Sequence, residues 1–563
     1  MNSLIQQLSD LSLNWPSQNL AFVGIDPFHG SAQPFKMDPN DWAFHLQIFV
    51  ASVICLYAFL FPVNVVQLAL HGFRRSQVSG PKAEQFFFRY DVPRHDIVKD
   101  KYYYEAIRIV CNWFRPKWKI HPVHFTDLRW YPWKLDTSAE RPFSVQYRHL
   151  GSTKFSKLYN LVFEYTRTVI HRFKDGLTFN YDPITLHVKP ALVFQWAEDK
   201  VRTVWGIPKY LIFSEAMFFW PLFSHYHTER QTPLLWNYES LNGGWYRLTH
   251  EWFKHKGIYF NLDWSEFDMR VYFSMWLDII NEVSTFFCFC GKYCPTRTYP
   301  SPRTSPQRIT SLWNRITDMY FNMPCVTPMG NVFKRLYAGM PSGIFCTQFY
   351  DSVYNGVMIV TCLLSLGVPI PEDFPIKLMG DDVLFVLLMD LPFEHWPEFL
   401  EALASEALWR FGSKLNPDKA HVSPSIQGAF VLGYSNNNGL PTRDPAELLA
   451  KLLHPKSLRD TPGNLMARSI GIYYASAGDR RFRPICLHIY DHFARLGFKP
   501  SIKGLASLFD PTGLRLTEED LQRFPTQTEV LARIAKPSAR NPELQAKYWP
   551  REHFLSEAGF VQC

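Results

Sequence analysis

An apolar stretch that ends in two adjacent aspartates offers the clearest chemistry in the sequence. Residues 377–379 lead into Gly380, Asp381 and Asp382, and a second apolar stretch, residues 383–386, follows at once. A glycine between two strand-like stretches predicts a tight hairpin turn with both carboxylates at its tip. Paired carboxylates are costly to bury unless they bind cations. By itself the pattern is weak, because Asp and Gly are common in turns that do no chemistry.

A second strand-like stretch, residues 258–262, ends in Asp263, and Asp268 follows where a helix is expected to begin. An N-cap aspartate, which contributes about 1 kcal/mol, would explain either residue by itself. It does not explain two acidic strand ends from distant parts of one chain. Such a pair is what two-metal phosphoryl transfer requires, with Mg²⁺ or Mn²⁺ ions roughly 3.5 to 4 Å apart between shared carboxylates.

Between the two acidic segments, a glycine-flanked turn at residues 339–343 leads into a long apolar stretch with helical character. Thr347, Asp351 and Asn355 recur every fourth residue, so they share one face of that helix. The face could line a cleft, or it could be the polar outer side of a core helix. The spacing alone leaves both interpretations open.

Taken in order, these segments resemble motifs A, B and C of viral RNA-dependent RNA polymerases. The resemblance rests on Asp263-Trp-Ser-Glu-Phe-Asp268, on Gly339-Met-Pro-Ser342-Gly343 followed by Thr347 and Asn355, and on Leu378-Met-Gly380-Asp381-Asp382. Polymerases of partitivirus-like double-stranded RNA viruses are the most similar, with picobirnaviruses as near relatives. The resemblance implies template-directed transfer of nucleotides from NTPs to an RNA 3′ end. It also implies an α+β right-hand fold of fingers, a palm with an antiparallel sheet, and a helical thumb.

The resemblance assigns a role to each motif residue. Asp263 and Asp381 would hold two Mg²⁺ (or Mn²⁺) ions, with Asp382 supporting the same site. Asp268 would read the sugar of the incoming nucleotide. The remaining members of the nucleotide-binding set would be Ser342, Gly343, Thr347, Asp351 and Asn355. Many single-stranded RNA virus polymerases have Asn at the position of Asp351, so the sequence leaves open whether Asp351 or Asn355 contacts the ribose.

Two basic segments resemble further motifs of the same family. Residues 199–209 resemble motif F, in which Arg202 would grip the triphosphate through a bidentate fork while Lys200 and Lys209 act as point charges. A solvated basic strand would explain that segment equally well without the other motifs. Residues 415–419 resemble motif D, which makes Lys419 the proton donor to the leaving pyrophosphate. A surface ion pair with Asp418 is the alternative for this lysine.

The same resemblance also implies how the chain divides into the subdomains that position these residues. The expected division is residues 1–90 bridging fingers and thumb, 91–250 and 286–335 as fingers, 251–285 and 336–435 as palm, and 436–563 as thumb and C-terminal tail. Residues 430–434 resemble motif E, a hairpin between palm and thumb. The polar stretch 536–551, punctuated by prolines, is expected to cross the surface.

Composition is typical of a folded protein that meets phosphate. Of the 563 residues 47% are hydrophobic and 16% aromatic, which argues against a disordered chain. The formal net charge of +8 suits an RNA template and product held in a basic channel. Such backbone contacts predict salt-sensitive binding.

The ten cysteines lack the dense, regular spacing of a secreted disulfide framework, so we expect reduced thiols in a cytosol-like compartment. No secretory signal is expected, because residues 1–15 have neither a basic start nor an apolar core. The closest cluster, Cys288, Cys290 and Cys294, lacks a paired C-x-x-C or H-x-x-x-H. Plain thiols are therefore favoured there over a zinc site.

One apolar segment raises the question of a membrane. Residues 42–73 contain no Asp, Glu, Lys or Arg, and residues 48–61 are almost wholly apolar. That apolar part is shorter than the 20 or so residues needed to cross a bilayer, so burial in the protein is favoured over membrane contact.

Two other functions remain to be weighed against the polymerase. A reverse transcriptase is disfavoured by Asp268, because those enzymes usually carry an aromatic gate against the ribose 2′ hydroxyl at that place. A membrane-anchored RNA-binding protein with an inactive polymerase-like core is suggested only by residues 42–73 and the basic charge. The expected partners are RNA, NTPs and a viral capsid protein, and the expected location is the host cytoplasm, inside the virion.

Overall fold

The computed structural model describes residues 18–28, 40–228, 232–456, 459–505, 514 and 516–556. Its α-helices are α1 Asp41–Leu56, α2 Val63–His71, α3 Gly80–Phe87, α4 Lys101–Phe114, α5 Phe143–Gln146, α6 Phe155–Lys174, α7 Lys209–Thr228, α8 Gly244–Trp252, α9 Phe273–Ser284, α10 Pro306–Asn322, α11 Thr347–Ser365, α12 Trp396–Phe411, α13 Pro445–Leu453, α14 Pro462–Ala475, α15 Phe482–Arg495, α16 Gln527–Ile534 and α17 Pro542–Tyr548. Its strands are β1 Leu20–Ile25, β2 Phe73–Arg75, β3 Ile184–Pro190, β4 Leu192–Phe194, β5 Val201–Gly206, β6 Ile258–Leu262, β7 Trp264–Ser265, β8 Cys325–Val326, β9 Asn331–Arg335, β10 Ile376–Met379, β11 Asp382–Leu387, β12 Lys414–Leu415, β13 His421–Ser423, β14 Phe430–Val431, β15 Tyr434–Asn437 and β16 Leu440–Thr442.

A four-stranded antiparallel sheet lies at the centre, in the order β10-β11-β6-β13. Strand β6 pairs on both sides, and all five of its residues are buried. Burial of both faces of the strand explains why its sequence, Ile-Tyr-Phe-Asn-Leu, is nearly continuous in apolar residues instead of alternating. Helix α11 packs against β10 and is buried almost all round, which is typical of a core helix.

A second sheet joins distant parts of the chain in the order β1-β9-β8-β3-β5. Its edge strand β1 pairs with β9, and the carboxylate of Asp91 accepts hydrogen bonds from three backbone amides at residues 18–20. The opposite edge, β5, carries the basic segment 200–206. The N-terminal strand is therefore part of the layer that also presents these basic side chains.

Helix α1 is buried on one face and exposed on the other. Leu46, Val50, Val53 and Ile54 pack into a core shared with helices α13 to α15, whereas Phe44 and Ile48 are exposed. The expected burial of this segment is correct for one face only. Within the ranges given above, no helix is both long and apolar enough to span a bilayer.

The C-terminal segment is anchored more firmly than its polar sequence suggests. Helix α17 is followed by Trp549 and Phe554, whose rings are buried and stack with centroids 3.9 Å apart. Trp220 of α7 donates a hydrogen bond to the carbonyl of Tyr548 at 2.5 Å, and Thr296 forms a β-bridge with Phe554. The expectation of a surface tail is therefore wrong for the residues around Trp549, because aromatic packing holds them against α7.

Candidate active site

The hairpin predicted around Gly380 is present, formed by β10 and β11 with Met379 opposite Asp382. Gly380 has a φ of +66°, in the left-handed region that favours glycine. A Cβ at this position would meet no atom within 4 Å, so the backbone angle and not crowding requires the glycine. The turn leaves Asp381 exposed at the tip, with Asp382 at the start of the next strand.

Strand register brings Asp263 to the same end of the sheet. Leu262 of β6 lies opposite Val383 of β11, so Asp263 leaves its strand beside the Asp382 end of the hairpin. The Nζ atom of Lys419 lies 3.1 Å from the Asp263 carboxylate, and the side chains of this ion pair are 65% and 38% exposed. The sequence-predicted motif D lysine therefore contacts the motif A aspartate.

Burial and mutual repulsion both act on the three carboxylates. Burial and the neighbouring Asp381 raise the pKa of Asp382 to about 7. Desolvation and Asp263 also raise the pKa of Asp381, although Arg202 opposes this shift. Like charges held together in this way are stabilised by a cation, and their hard oxygen ligands suit Mg²⁺ or Mn²⁺.

Beside this cluster, the turn at Ser342 is hydrogen-bonded to Asp268. The Ser342 hydroxyl donates a hydrogen bond to the Asp268 carboxylate, and the amide of Met340 donates to the Asp268 carbonyl at 2.7 Å. Burial and Asp381 raise the pKa of Asp268 to about 6. A Cβ at Gly343 would overlap the carbonyl oxygen of Trp205 in β5. The turn thus packs directly on the basic strand.

Two residues on the polar face of α11, Asn355 and Thr347, use their side chains in hydrogen bonds to nearby backbone or side-chain groups. The Asn355 side chain accepts a hydrogen bond from Trp264 at 2.9 Å and donates to the carbonyls of Gly380 and Asp381, each at 3.0 Å. Thr347 bonds within its own turn, to the amide of Gly343 and the carbonyl of Ile344.

Asp351 differs from these neighbours on the same helix face. It is only 4% exposed, and its Oδ1 atom has no hydrogen-bond partner among the described residues. Burial, Asp268 and Asp381 together raise its pKa well above the usual range. Asp351 is therefore the residue of this helix face whose carboxyl keeps an unused hydrogen-bonding atom near Asp268 and Asp381.

The basic residues of the predicted motif F do not all approach the acids. Arg202 lies close enough to Asp381 to affect its pKa, and Lys200 lies within electrostatic range of Asp263 and Lys419. Lys209, at the start of α7, instead places its Nζ atom 5.5 Å from the ring centre of Phe155.

Reasoning from the sequence missed one supporting residue, Glu215. It is fully buried in α7 and accepts hydrogen bonds from the amide of Phe345 at 2.9 Å and the hydroxyl of Tyr320 at 2.8 Å. Burial raises its pKa to about 7. Glu215 therefore fixes, through its hydrogen bond to Phe345, the turn that connects Ser342 to α11. The available signal was its position as the single acid in the apolar helix 209–228.

An antiparallel sheet with acids at two strand ends, together with a basic strand and the hydrogen-bonded Ser342–Asp268 pair, is the arrangement of a nucleotide-joining polymerase of the right-hand class. Residues 121–457 match the family model described as viral RNA-dependent RNA polymerase. The chain belongs to this family and is an RNA-directed RNA polymerase. The sequence-based predictions of family, α+β fold class and enzyme activity are thereby confirmed, and the family uses divalent metal ions.

Curated relatives carry the same activity in their names. The RNA-directed RNA polymerase of White clover cryptic virus 1 is 32% identical over 556 residues, covering 88% of this chain and 90% of the relative. The RNA-directed RNA polymerase of Atkinsonella hypoxylon virus is 26% identical over 493 residues, covering 74% of this chain and 71% of the relative. These matches support RNA synthesis and give no support to a reverse transcriptase or an inactive core.

Proposed function

We propose that Asp263 and Asp381 hold two Mg²⁺ or Mn²⁺ ions, with Asp382 as the supporting carboxylate. The observation that carries this proposal is the strand register that brings Asp263, Asp381 and Asp382 to one end of the β6–β11 pair, where burial and the neighbouring carboxylates raise the pKa values of Asp381 and Asp382. Such ions, when bound, supply an activated 3′ hydroxyl and neutralise the triphosphate. The donor set fits them, because it offers hard carboxylate oxygens.

The surrounding cations would serve the phosphates. Arg202 in β5 and Lys200 just before it lie within electrostatic range of the acids, which supports a role in binding the incoming triphosphate. Lys419 is the candidate proton donor to pyrophosphate, supported by its contact with Asp263. Lys209 stays in the proposed set on the family resemblance alone, because its amino group lies against Phe155.

For the ribose, we favour Asp268 and Asp351 as the groups that read the sugar, with Ser342 orienting Asp268. The Asn355 amide donates its hydrogen bonds to the backbone of the hairpin, whereas the Oδ1 atom of Asp351 has no hydrogen-bond partner among the described residues. The high pKa of Asp351 supports a protonated carboxyl there, which can both donate and accept a hydrogen bond. It could thus replace the amide found in many single-stranded RNA virus polymerases.

The contacts support most of the expected subdomain boundaries. Strands β6, β10, β11 and β13 fall within residues 251–285 and 336–435, the proposed palm. Residues 91–250 and 286–335 would be fingers, and the helices after residue 436 the thumb. Residues 1–90 would bridge the two, since β1 joins the fingers sheet and α1 packs on thumb helices. Residues 536–556 would leave the thumb to join the fingers.

The partners proposed beyond RNA and NTPs rest on kinship with cryptic viruses. A viral capsid protein would be the further partner, and the enzyme would work in the host cytoplasm inside the virion. Membrane contact through residues 42–73 is the weaker proposal, supported only by the exposed Phe44 and Ile48 on α1.

The first experiment measures incorporation of labelled ribonucleotides on RNA templates with Mg²⁺ or Mn²⁺. We expect Asp381→Asn to lower incorporation by about 10³-fold, because a ligand to the reacting centre is lost. Asp390→Asn, an exposed aspartate outside the cleft, is the matched control and should keep wild-type activity. Equal activity of the two variants would refute the proposed metal site.

A second experiment separates Asp351 from Asn355. Asp351→Asn should stay within about 10-fold of wild-type activity with ribonucleotides but change the ratio of ribo- to deoxyribonucleotide use by about 10-fold. Asn355→Asp cannot donate to the hairpin carbonyls, so it should lower both activities together. If Asn355→Asp alone changed the ratio, the ribose assignment would be reversed.

A further inference from the structure

One imidazole and two thiols form a cluster outside the carboxylate cleft. The ligand atoms of His121, Cys288 and Cys290 all lie within 4.8 Å of one another. The Nδ1 atom of His121 and the Sγ atom of Cys290 are 3.9 Å apart, although 169 residues separate them in the chain. Cys294 is not a member, because its thiol donates to the His121 carbonyl at 3.0 Å.

Backbone hydrogen bonds hold the two segments of this cluster in register. Ile120 and Phe287 form a parallel β-bridge, and the amide of Cys288 donates to the Ile120 carbonyl at 2.8 Å. The amide of Cys294 donates to the Pro122 carbonyl at 2.9 Å. The segments of His121 and Cys288 are thus held by paired backbone, with Cys290 two residues further on, so little chain entropy would be lost when the three residues bind a ligand.

We propose that His121, Cys288 and Cys290 bind a zinc-type divalent cation. Thiolate and imidazole are the ligands that Zn²⁺ prefers, and Zn–S of about 2.3 Å with Zn–N of about 2.0 Å places neighbouring tetrahedral ligand atoms roughly 3.5 Å apart. The spacing of His121 and Cys290 is close to that value. The Nδ1 atom of His121 also lies 3.2 Å from the Lys292 carbonyl, so a cation bound at Nδ1 would replace that hydrogen bond. Cys290 is exposed, which leaves the fourth position to water.

The site would fix the segment that receives the C-terminal tail. Just beyond Cys294, Thr296 pairs with Phe554, and the amide of Arg297 donates to the His553 carbonyl at 2.9 Å. A cation bound by His121 and the two cysteines would anchor the start of this segment to residues 120–123. The cation would join these two segments, and its thiolate and imidazole ligands differ from the oxygen ligands of the carboxylate site.

The test is a titration of the full chain with Co²⁺, after removal of metal by a chelator and in the presence of a reductant. Wild-type protein should develop a thiolate-to-cobalt charge-transfer band that saturates at one equivalent and disappears when Zn²⁺ is added. Cobalt at the carboxylate site gives no such band, so the outcome is independent of the proposed catalytic metals.

Cys290→Ser is the informative variant because Cys290 is exposed, whereas substitution of the buried His121 or Cys288 could unfold the protein. It should lose most of the band and bind Co²⁺ at least 10-fold more weakly. Cys55→Ser, an exposed cysteine of α1, is the control and should behave like wild type. A missing band in wild type, or an equal band in Cys290→Ser, would overturn the proposal.

Thermal unfolding supplies a second readout. Stoichiometric Zn²⁺ should raise the melting temperature of wild type and of Cys55→Ser equally, but not that of Cys290→Ser. An equal rise in all three proteins would place the zinc elsewhere and reject this site.

Discussion

Acidic side chains in two regions of the molecule have pKa values shifted in opposite directions. In the cleft, burial and neighbouring acids raise the pKa of Asp268 to about 6 and that of Asp382 to about 7. In the C-terminal helical region, Glu447 is half-buried, but hydrogen bonds from Arg443 and Lys451 outweigh that burial and hold its pKa at about 2. The difference lies in the partners, since both regions remove carboxylates from water.

The ion pair of Asp460 and Arg468 shows the same contrast in geometry. Two nitrogens of Arg468 approach the two carboxylate oxygens at 3.2 and 2.8 Å, and the side chains are only 4% and 5% exposed. A buried acid with a matched cation holds helices together. A group of acids without enough cations costs stability, and that cost is offset when a ligand cation binds.

The largest expected effect comes from breaking the matched pair. Asp460→Asn should lower the free energy of unfolding by about 3 kcal/mol, because it leaves the Arg468 charge buried without its partner. Denaturant or thermal unfolding measures this, with the exposed Asp390→Asn as control. Replacing both partners, Asp460→Asn with Arg468→Met, should recover part of the loss. Equal stability of Asp460→Asn and the control would contradict the comparison.

A smaller effect is expected from pH, through Glu215. Its folded-state pKa of about 7 lies above the usual value of about 4.5, so its contribution to stability is fully present below pH ~4.5 and is lost as pH rises through 7. Relative to Glu215→Gln, wild type should lose about 2 kcal/mol of stability between pH 5 and pH 8.

Glu447 supplies the opposite control for that pH series. Its pKa is depressed to about 2, so its contribution is present above pH ~4.5 and is lost as pH falls toward 2. Parallel pH profiles for Glu215→Gln and Glu447→Gln would show that the two glutamates do not differ as the structure indicates.

The smallest expected effect is the response of stability to metal. Asp381→Asn should be no less stable than wild type without metal, because it removes one of several crowded charges. At ten times its dissociation constant, Mg²⁺ should stabilise wild type by about 1.4 kcal/mol. Melting curves of Asp381→Asn should barely respond to Mg²⁺. An equal response in both proteins would place the stabilising ion outside the cleft.

Local patterns in the sequence predicted the hairpin at Gly380 and the strand before Asp263. Each depends on residues adjacent in the chain. The separate roles of Asp351 and Asn355 could not be predicted, because both lie on one helix face and differ only in which distant backbone they contact.

The same limit applies to Glu215 and His121. Each acquires its partners from segments more than 100 residues away, at Phe345 and at Cys290 respectively. The burial of Trp549 was missed for a different reason, since prolines and charges around it dominate the local composition.

The packing of Gly343 on the carbonyl of Trp205 has a mechanical consequence for fidelity. The strand that would grip phosphates and the turn that would orient the sugar reader touch with no room for even one methyl group between them. A displacement of either is passed to the other, so a nucleotide with a well-placed triphosphate and a badly placed sugar would strain both at once. The fit of the triphosphate and the fit of the sugar would then be tested together, and a side chain at position 343 would push the turn away from β5.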